Sequence, residues 1–334
     1  MNKLATTYLG LNIKNPIIIS SSGLTDTAEK NLALEKAGAG AIVIKSLYEE
    51  QIMMKSEHLL AHTDYTEAYD YIKNYVHSHK LTDYLEQITA SKRLCSIPII
   101  ASINCYKTGE WATFAHQIEL AGADAIELNI FLLNTHKNED STIAEQAYID
   151  IVRQVKKEVN IPIAVKISSQ FTNLVSFSEN LIAAGAKGIV LFNRYYQPDI
   201  NLDSLQIVQG ETFSHQSDFA TTLRWTGLIS GLVKNASIVS STGIHSWENA
   251  IKAILVGAQA VEICSTVYKN GNNIIADFIS NMENWMKKHG YENIEEFRAK
   301  LNYANSENPT LFERSQFMKY YADKEDHKGE IFFT

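Results

Sequence analysis

Lysines stand at the ends of two short apolar segments of this chain, where a charged side chain would face a folded core. Lys45 closes one segment and Lys166 closes another. An ammonium group in such surroundings is costly unless it meets an anion or a polar ligand, so both lysines are candidate functional residues. Two chemistries fit them: a Schiff base of the aldolase type, or a fixed positive charge beside an electron-accepting cofactor. A purely structural alternative is an ion pair with Glu127 or Glu262 inside the core.

Asparagines end three further apolar segments. Asn129 and Asn193 end two of them, and Asn104 ends the third. A side-chain amide offers a hydrogen-bond donor and an acceptor at fixed positions. The pattern therefore predicts a site that recognises a planar ring with amide edges, with Asn104 as an additional contact.

Eight apolar segments supply the elements that must position these residues. They lie at residues 16–20, 41–45, 98–104, 125–129, 162–166, 188–193, 237–241 and 260–265. Near-continuous Ile/Val runs are typical of parallel strands covered on both faces, and most of the intervening segments have helical spacing. Eight such units predict an α/β fold, a closed (β/α)8 TIM barrel whose active site gathers at the C-terminal ends of the strands. Those ends carry Ser21, Lys45, Asn104, Asn129, Lys166, Asn193, Thr242 and Ser265.

Two polar stretches are suited to a phosphate group. Residues 240–246 follow the seventh predicted strand and enter a helix at about Trp247, and residues 263–266 follow the eighth. In barrels the loops after strands 7 and 8 commonly bind phosphate, because backbone N–H groups and a helix N-terminus favour an anion. The alternative is that both are ordinary strand-to-helix turns.

Segments outside the eight units decorate the barrel. Residues 6–15 predict a hairpin that plugs the N-terminal end, and 291–334 form a C-terminal helical extension to a barrel core at about 16–290. Long insertions follow strands 2 and 6. In the second, Leu205 to Gln209 could pair with Glu211 to Ser214 as a small hairpin at the barrel mouth. We expect a single domain over residues 1–334.

The first insertion, residues 48–79, holds four histidines and several tyrosines. It is either a loop facing the site or a dimer-contact surface, and no acidic partner at ligand spacing supports a metal site there.

Composition limits the partners and the compartment. The net charge is −8, from 30 basic and 38 acidic residues, without a basic stripe, which disfavours nucleic acid and favours a small-molecule substrate. The three cysteines form no CxxC pair, which fits a reducing compartment and disfavours zinc or iron–sulfur binding. The N-terminus has neither a signal-peptide core nor a membrane span. We therefore expect a cytoplasmic protein without a membrane contact.

Several motifs resemble one family in order and position. They are Asn15-Pro16 through Ser21-Ser22-Gly23, Lys45-Ser46, Glu127-Leu128-Asn129 with Asn134, Val165-Lys166, Phe192-Asn193 and Thr242-Gly243-Ile244. The chain resembles the FMN-dependent dihydroorotate dehydrogenases over residues 4 to 290, and residues 191–200 with 223–225 resemble the bacterial dihydroorotate dehydrogenase-like branch.

This resemblance implies an FMN oxidoreductase, by analogy a homodimer, and a set of cofactor and substrate residues. Ser21, Ser22 and Gly23 would lie along the flavin, and Lys166 would lie near its N1/O2 edge. The phosphate would meet Thr242, Gly243, Cys264 and Ser265, and Ser46 and Asn104 would complete the cofactor site. The substrate ring would meet Lys45, Asn129, Asn134 and Asn193.

Two departures from the family pattern bear on the substrate. In the soluble family members a Leu-Ser-Cys-Pro-Asn loop supplies a cysteine base, but here residues 130–134 place Leu132 at that position. General base catalysis contributes about 10²- to 10⁴-fold, so efficient dihydroorotate oxidation by the family route is not expected. Arg194 stands where the family has a small hydroxyl residue, which favours a more anionic ligand.

Other groups could replace the missing base, and other functions stay open. Candidate proton donors or acceptors are Cys105, His136, Tyr195 and Tyr196. The first functional hypothesis is hydride exchange between FMN and a small cyclic or carboxylate-bearing molecule. The alternatives are an FMN-binding barrel without this activity and a flavin-free lyase that uses Lys45 or Lys166.

Overall fold

The structure is a computed structural model that describes residues 3–48, 68–104, 110–132, 140–194 and 197–313, together with 135, 137 and 138. For residues 68–79 and 110 the description covers the backbone. The helices of this part are α1 (Ala28–Lys36), α2 (Ala68–Leu94), α3 (Glu110–Leu120), α4 (Ser141–Glu158), α5 (Leu174–Ala183), α6 (Phe219–Leu232), α7 (Trp247–Leu255), α8 (Ser265–Asn270), α9 (Asn273–His289) and α10 (Thr310–Glu313). None of them is long and apolar enough to cross a membrane.

Eight parallel strands close into the predicted barrel. In chain order they are β3 (Ile17–Ile19), β4 (Ala41–Val43), β6 (Ile99–Asn104), β7 (Ala125–Asn129), β8 (Ile163–Ile167), β9 (Gly188–Leu191), β12 (Ser237–Ser241) and β13 (Ala260–Ile263). Each pairs with the next, and β13 pairs with β3 to complete the ring. The short strand β5 (Leu47–Tyr48) continues the course of β4 alongside β6. The (β/α)8 prediction is confirmed.

The strands are apolar on both faces because each face packs against a different apolar layer. Ile17 and Ile19 belong to the cluster between the sheet and the helices, whereas Ile18 belongs to a second cluster inside the barrel. Small side chains such as Ala125 and Ala164 also point into this interior. The two layers explain why the strands lack the polar alternation of a half-exposed sheet.

An N-terminal hairpin plugs the lower end of the barrel, as predicted. Strands β1 (Thr6–Tyr8) and β2 (Leu11–Ile13) are antiparallel and join through Leu9 and Gly10, which both have positive φ. Positive φ at both turn positions matches the twist of a two-residue hairpin. Tyr8, Leu9 and Ile13 pack into the interior cluster and close it from below.

The insertion after β9 contains a hairpin in a different register from the predicted one. Strand β10 (Pro198–Asn201) pairs with β11 (Gln206–Gln209), so the expected pairing of residues 205–209 with 211–214 is wrong. The Asn201 side chain accepts hydrogen bonds from the N–H groups of Asp203 and Ser204, and this turn sets the earlier pairing. Residues 211–218, here called the mouth loop, instead run to the barrel mouth.

The described part of the C-terminal segment, residues 291–313, packs outside the barrel. Ile294 and Phe297 are fully buried. The backbone N–H groups of Ala299 and Leu301 donate to carbonyls at the end of α7, and the N–H of Tyr303 donates to the Gly227 carbonyl in α6.

Candidate active site

One cavity of about 620 Å³ lies at the C-terminal ends of the barrel strands. Its size is that of a cofactor or small-molecule site. The predicted residues that line it are Ser21, Ser22, Gly23, Lys45, Ser46, Asn129, Lys166, Asn193, Arg194, Thr242, Gly243, Cys264 and Ser265. Closure of the barrel therefore brings together residues spread over more than two hundred positions of the chain.

Some predicted residues do not join this group. Asn104 ends β6 but is not among the residues that line the cavity. Asn134 lies outside the described residues, as do Cys105, His136, Tyr195 and Tyr196. Residues 49–67 of the first insertion also lie outside the described residues, so the role predicted for this insertion stays a prediction.

The cavity also has walls that the strand-end pattern did not indicate. Tyr48, Thr212, Phe213, Ser214 and Tyr268 line it. Thr212, Phe213 and Ser214 belong to the insertion after the sixth predicted strand, which the sequence places at the barrel mouth. Tyr268 carries no sequence signal for the site, because it lies a full turn into α8 and reaches the mouth only through the packing of that helix.

Lys166 lies on the floor of the cavity in a buried ionic cluster. Its Nζ atom donates to Glu262 Oε2 at 2.6 Å and to Ser20 Oγ at 2.9 Å, and lies 3.6 Å from Glu127 Oε1. The Ser20 hydroxyl in turn donates to Glu262 Oε2. The structural alternative for Lys166 is therefore realised with both carboxyl groups, and the ammonium still faces the cavity.

The ionic cluster holds Lys166 in its charged form. Burial by itself would lower the pKa of Lys166, but the attraction of Glu127 and Glu262 outweighs burial and raises the pKa. Burial raises the pKa of Glu127 well above its ordinary value, and the charge of Glu262 adds to the rise. Burial opposes ionisation of Glu262 too, yet the attraction of Lys166 lowers the pKa of that carboxyl. A permanently charged amine is a poor nucleophile, so a Schiff base at Lys166 is disfavoured.

A chain of hydroxyl groups fixes the loops after β3 and β4. Ser21 Oγ lies 2.9 Å from Ser46 Oγ and accepts the Ser46 N–H, and Ser46 Oγ lies 2.7 Å from Ser102 Oγ. The N–H of Lys45 donates to the Thr25 carbonyl. The Lys45 backbone is thereby held in place while its side chain is exposed at the cavity.

Asn129 and Asn193 meet across the mouth. Asn193 Nδ2 donates to Asn129 Oδ1 at 2.5 Å, and the N–H of Asn193 donates to the Ile167 carbonyl. This bond uses one donor and one acceptor of the two amides. The pair can therefore offer an amide N–H of Asn129 and the side-chain oxygen of Asn193, a donor and an acceptor.

The loop after β12 turns sharply through two consecutive residues of positive φ. Thr242 and Gly243 have φ values of 73° and 82°. A Cβ atom at Gly243 would lie 2.2 Å from the backbone N of Phe219, so only glycine lets this loop pack on α6. The Thr242 hydroxyl donates to the Phe192 carbonyl at 2.9 Å and holds the turn against β9.

The loop after β13 leads directly into α8. Cys264 precedes the helix and Ser265 begins it. The first N–H groups of a helix have no partner within the helix, so this loop presents backbone donors. The Ser265 side chain accepts the N–H of Ser214 at 3.0 Å and so supports the mouth loop.

Several groups anchor the mouth loop over the cavity. Arg194 donates at 2.8 Å to the carbonyls of both Glu211 and Thr212. Ser214 Oγ lies 3.0 Å from His245 Nε2, and the Ser214 carbonyl accepts from Lys269. The sequence predicts from Arg194 a more anionic ligand. The structure places it in the cavity wall with its guanidinium engaged by the mouth loop.

Leu132 follows the strand end that carries Asn129. It is 36% exposed, while Ile130 before it is buried. The residue that the motif resemblance matches to the family base is thus an apolar side chain in a loop. Its consequence for activity remains a prediction.

Comparisons with known proteins agree with this fold and cavity. A family model described as dihydroorotate dehydrogenase matches residues 3–286. Similar proteins include three named dihydroorotate dehydrogenase B (NAD(+)), catalytic subunit. The one from Thermoplasma volcanium is 26% identical, over 89% of this chain and 97% of that protein. The one from Methanocaldococcus jannaschii is 26% identical, over 85% of this chain and 94% of that protein. The one from Methanosarcina acetivorans is 25% identical, over 86% of this chain and 92% of that protein.

The family model covers most of the chain, and the closed barrel with its polar mouth is the architecture on which the motif resemblance depends. The chain therefore belongs to the dihydroorotate dehydrogenase family.

Proposed function

We propose that this protein is an FMN-dependent oxidoreductase that exchanges hydride between the flavin and a small cyclic or carboxylate-bearing molecule. One observation carries the proposal most. A buried lysine that pairs with two carboxyl groups lies at a single cavity of about 620 Å³, on which the polar loops after β3, β4, β12 and β13 converge, in a chain of this family.

The residues present fit FMN. Bound FMN would supply a ring that accepts or gives a hydride. Ser21, Ser22 and Gly23 would lie along that ring, and the ammonium of Lys166 would stabilise negative charge on it. The loops after β12 and β13 would hold the phosphate through the backbone of Thr242, Gly243, Cys264 and Ser265. The start of α8 at Ser265 supports this assignment, because the first N–H groups of a helix have no partner within the helix and favour an anion.

Lys45, Asn129 and Asn193 would bind and orient the substrate. The donor and acceptor of the two asparagines suit the edge of a ring amide. The exposed ammonium of Lys45 suits a carboxylate or another anionic group. Together they favour a ring that carries both an amide and a negative charge.

Leu132 bears on which substrate is used. Leucine can neither accept nor donate a proton, so we propose that the reaction does not use a side-chain base at this position. Two reactions meet this condition. One uses a substrate other than dihydroorotate, and the other is a reduction in which solvent or another residue supplies the proton.

The same residue favours a second candidate, an FMN-binding barrel without catalytic activity. The flavin-free lyase has less support, because Lys166 is held charged by two carboxyl groups. Of the two lysines, such a lyase would have to use Lys45 as its nucleophile.

Absorption spectroscopy of the purified protein separates these functions. The oxidoreductase and the binding barrel predict a protein with the visible spectrum of oxidised flavin, and the lyase predicts none. Anaerobic addition of dihydroorotate and related cyclic amides should bleach the flavin only if the protein is a catalyst. A colourless protein that fails to take up added FMN would overturn the proposal.

The homodimer stays a proposal from the resemblance. Sedimentation equilibrium of the flavin-loaded protein tests it directly, with a mass of one chain, 37.5 kDa, as the contrary result.

A further inference from the structure

Carboxyl oxygens without a donor lie beneath the cavity floor. Among the described residues, neither oxygen of Glu127 nor Oε1 of Glu262 has a hydrogen-bond partner. Glu127 is 1% exposed and Glu262 is 2% exposed, so both side chains are shielded from bulk solvent. Two ionised carboxylates would leave this buried cluster one charge negative, because Lys166 is the cation that they share. Such an uncompensated buried charge is strongly unfavourable.

Two other titratable groups act on the cluster, and burial favours the neutral form of each. Tyr8 reaches it from the N-terminal hairpin, and burial together with the charges of Glu262 and Glu127 raises its pKa well above the ordinary value. Cys264 faces Lys166 from the end of β13, and burial raises the pKa of its thiol. The charge balance is therefore set by Lys166 and the two glutamates.

The two carboxyl groups approach the same ammonium, that of Lys166. Glu262 Oε2 lies 2.6 Å from Lys166 Nζ, whereas Glu127 Oε1 lies 3.6 Å from the same atom. A proton on Glu127 would supply the missing donor between the carboxyls. It would also bring the cluster to zero net charge.

We propose that Glu127 and Glu262 share one proton and one negative charge, so that Lys166 faces the cofactor as a charge-balanced ammonium. The role assigned to this pair is to position Lys166 and to limit its pull on electrons in the ring above it. This inference rests on the proposed function only for the identity of that ring.

A shared charge has a consequence that two independent carboxylates would not have. Removal of either glutamate leaves the total charge unchanged, because the remaining carboxyl takes up the negative charge. Removal of both leaves the ammonium alone. The single substitutions should therefore have little effect and the double substitution a large one.

Sulfite binding to the flavin-loaded protein reports this charge. Sulfite uses its electron pair to form a bond to flavin N5, and the adduct carries extra negative charge on the pyrimidine part of the ring. Its dissociation constant is read from the loss of flavin absorbance. The proteins to compare are wild type, Glu127→Gln, Glu262→Gln, the double variant and, as a control, Glu248→Gln, an exposed glutamate on α7.

We expect the control and both single variants to bind sulfite within about threefold of wild type, and the double variant at least about tenfold more tightly. A tenfold effect of Glu127→Gln alone would overturn the proposal, because it would mean that both carboxyls are ionised. A double variant equal to wild type would also overturn it.

Infrared spectroscopy tests the shared proton without any flavin. At neutral pH the wild-type protein should show the carbonyl band of a protonated carboxyl group, and each single variant should lack it. Absence of the band from wild type would overturn the proposal even if the double variant cannot be purified. A protein that binds no FMN but shows this pattern would refute the proposed function and leave the shared proton standing.

Discussion

The side-chain amide of Asn193 donates to the side-chain oxygen of Asn129, although the two residues end strands that are separated by β8. The bond orients both amides. It leaves the amide N–H groups of Asn129 and the side-chain oxygen of Asn193 for other partners at the cavity, where we place the substrate. This arrangement yields a prediction that separates ligand recognition from folding.

Asn129→Asp should weaken ligand binding while it preserves the amide pair. The new carboxylate can still accept from Asn193, but it presents an acceptor where the wild type presents a donor. For a ring compound that perturbs the wild-type flavin spectrum, we expect the dissociation constant to rise about tenfold or more. Asn104→Asp is the matched control, since Asn104 lies outside the cavity lining. Equal effects of the two substitutions would argue against recognition by Asn129.

Lys166→Met should destabilise the protein in a pH-dependent manner. In wild type the lowered pKa of Glu262 contributes stability above the ordinary glutamate pKa, and this contribution is lost as the pH falls. Without the ammonium the same carboxyl resists ionisation, so the variant should instead lose stability as the pH rises.

We expect Lys166→Met to lose about 3–5 kcal/mol of unfolding free energy near neutral pH, and less near pH 4. Urea unfolding at several pH values measures this. Lys45→Met removes an exposed lysine and should change stability little at any of them. A pH-independent loss in Lys166→Met would point to packing rather than charge.

Glu127→Gln should stabilise the protein at neutral pH. The pKa of Glu127 is raised in the folded state, so the folded protein holds a proton that the unfolded chain releases above the ordinary glutamate pKa. Stability therefore falls as the pH rises through this range, and glutamine removes the fall. We expect the difference in unfolding free energy between the variant and wild type to grow in favour of the variant by up to about 1.4 kcal/mol per pH unit above about pH 4.3. Parallel stability–pH curves would contradict it.

Leu132→Cys should create or increase dihydroorotate oxidation. The substitution places a thiol at the position that the motif resemblance matches to the family base, in a partly exposed loop where a smaller side chain leaves no buried cavity. A positioned base contributes about 10²- to 10⁴-fold to such a step. The rate of anaerobic flavin bleaching by dihydroorotate measures the gain, and Leu132→Ala controls for the loss of bulk. No gain with cysteine would mean that the pocket does not hold dihydroorotate in the family orientation.

Arg194→Ala should loosen the mouth loop. The guanidinium donates to the Glu211 and Thr212 carbonyls and lies 3.7 Å from Asp218, so its removal takes away the contacts that join both ends of the loop. Hydrogen exchange should become at least about tenfold faster for amides at residues 212–214, because the loss of two hydrogen bonds to a charged group exceeds 1.4 kcal/mol. Arg224→Ala, an exposed position on α6, should leave exchange unchanged. Unchanged exchange in Arg194→Ala would assign the arginine to the ligand instead.

Much of the barrel could be predicted from local sequence. Each strand is a short apolar segment, most of them rich in Ile and Val, and the same pattern of an apolar run followed by a polar residue recurs in every unit of the barrel. The hairpin in the sixth connection could not be predicted correctly, since Asn201 sets its turn through two side-chain hydrogen bonds that compete with the apparent turn at Gly210. Local patterns indicate that a turn exists more reliably than which residues it joins.

The sequence by itself determined which chemical groups stand at the strand ends, because strand period and parallel pairing carry them all to one face. Lys45, Asn129, Lys166 and Asn193 reach the cavity for this reason. Only the tertiary structure decided how they are partnered: Lys166 with two glutamates from other strands, Asn193 with Asn129, and Arg194 with the mouth loop. Hydrogen bonds and ion pairs depend on distances of a few ångströms between residues far apart in the chain, and closure of the barrel sets those distances.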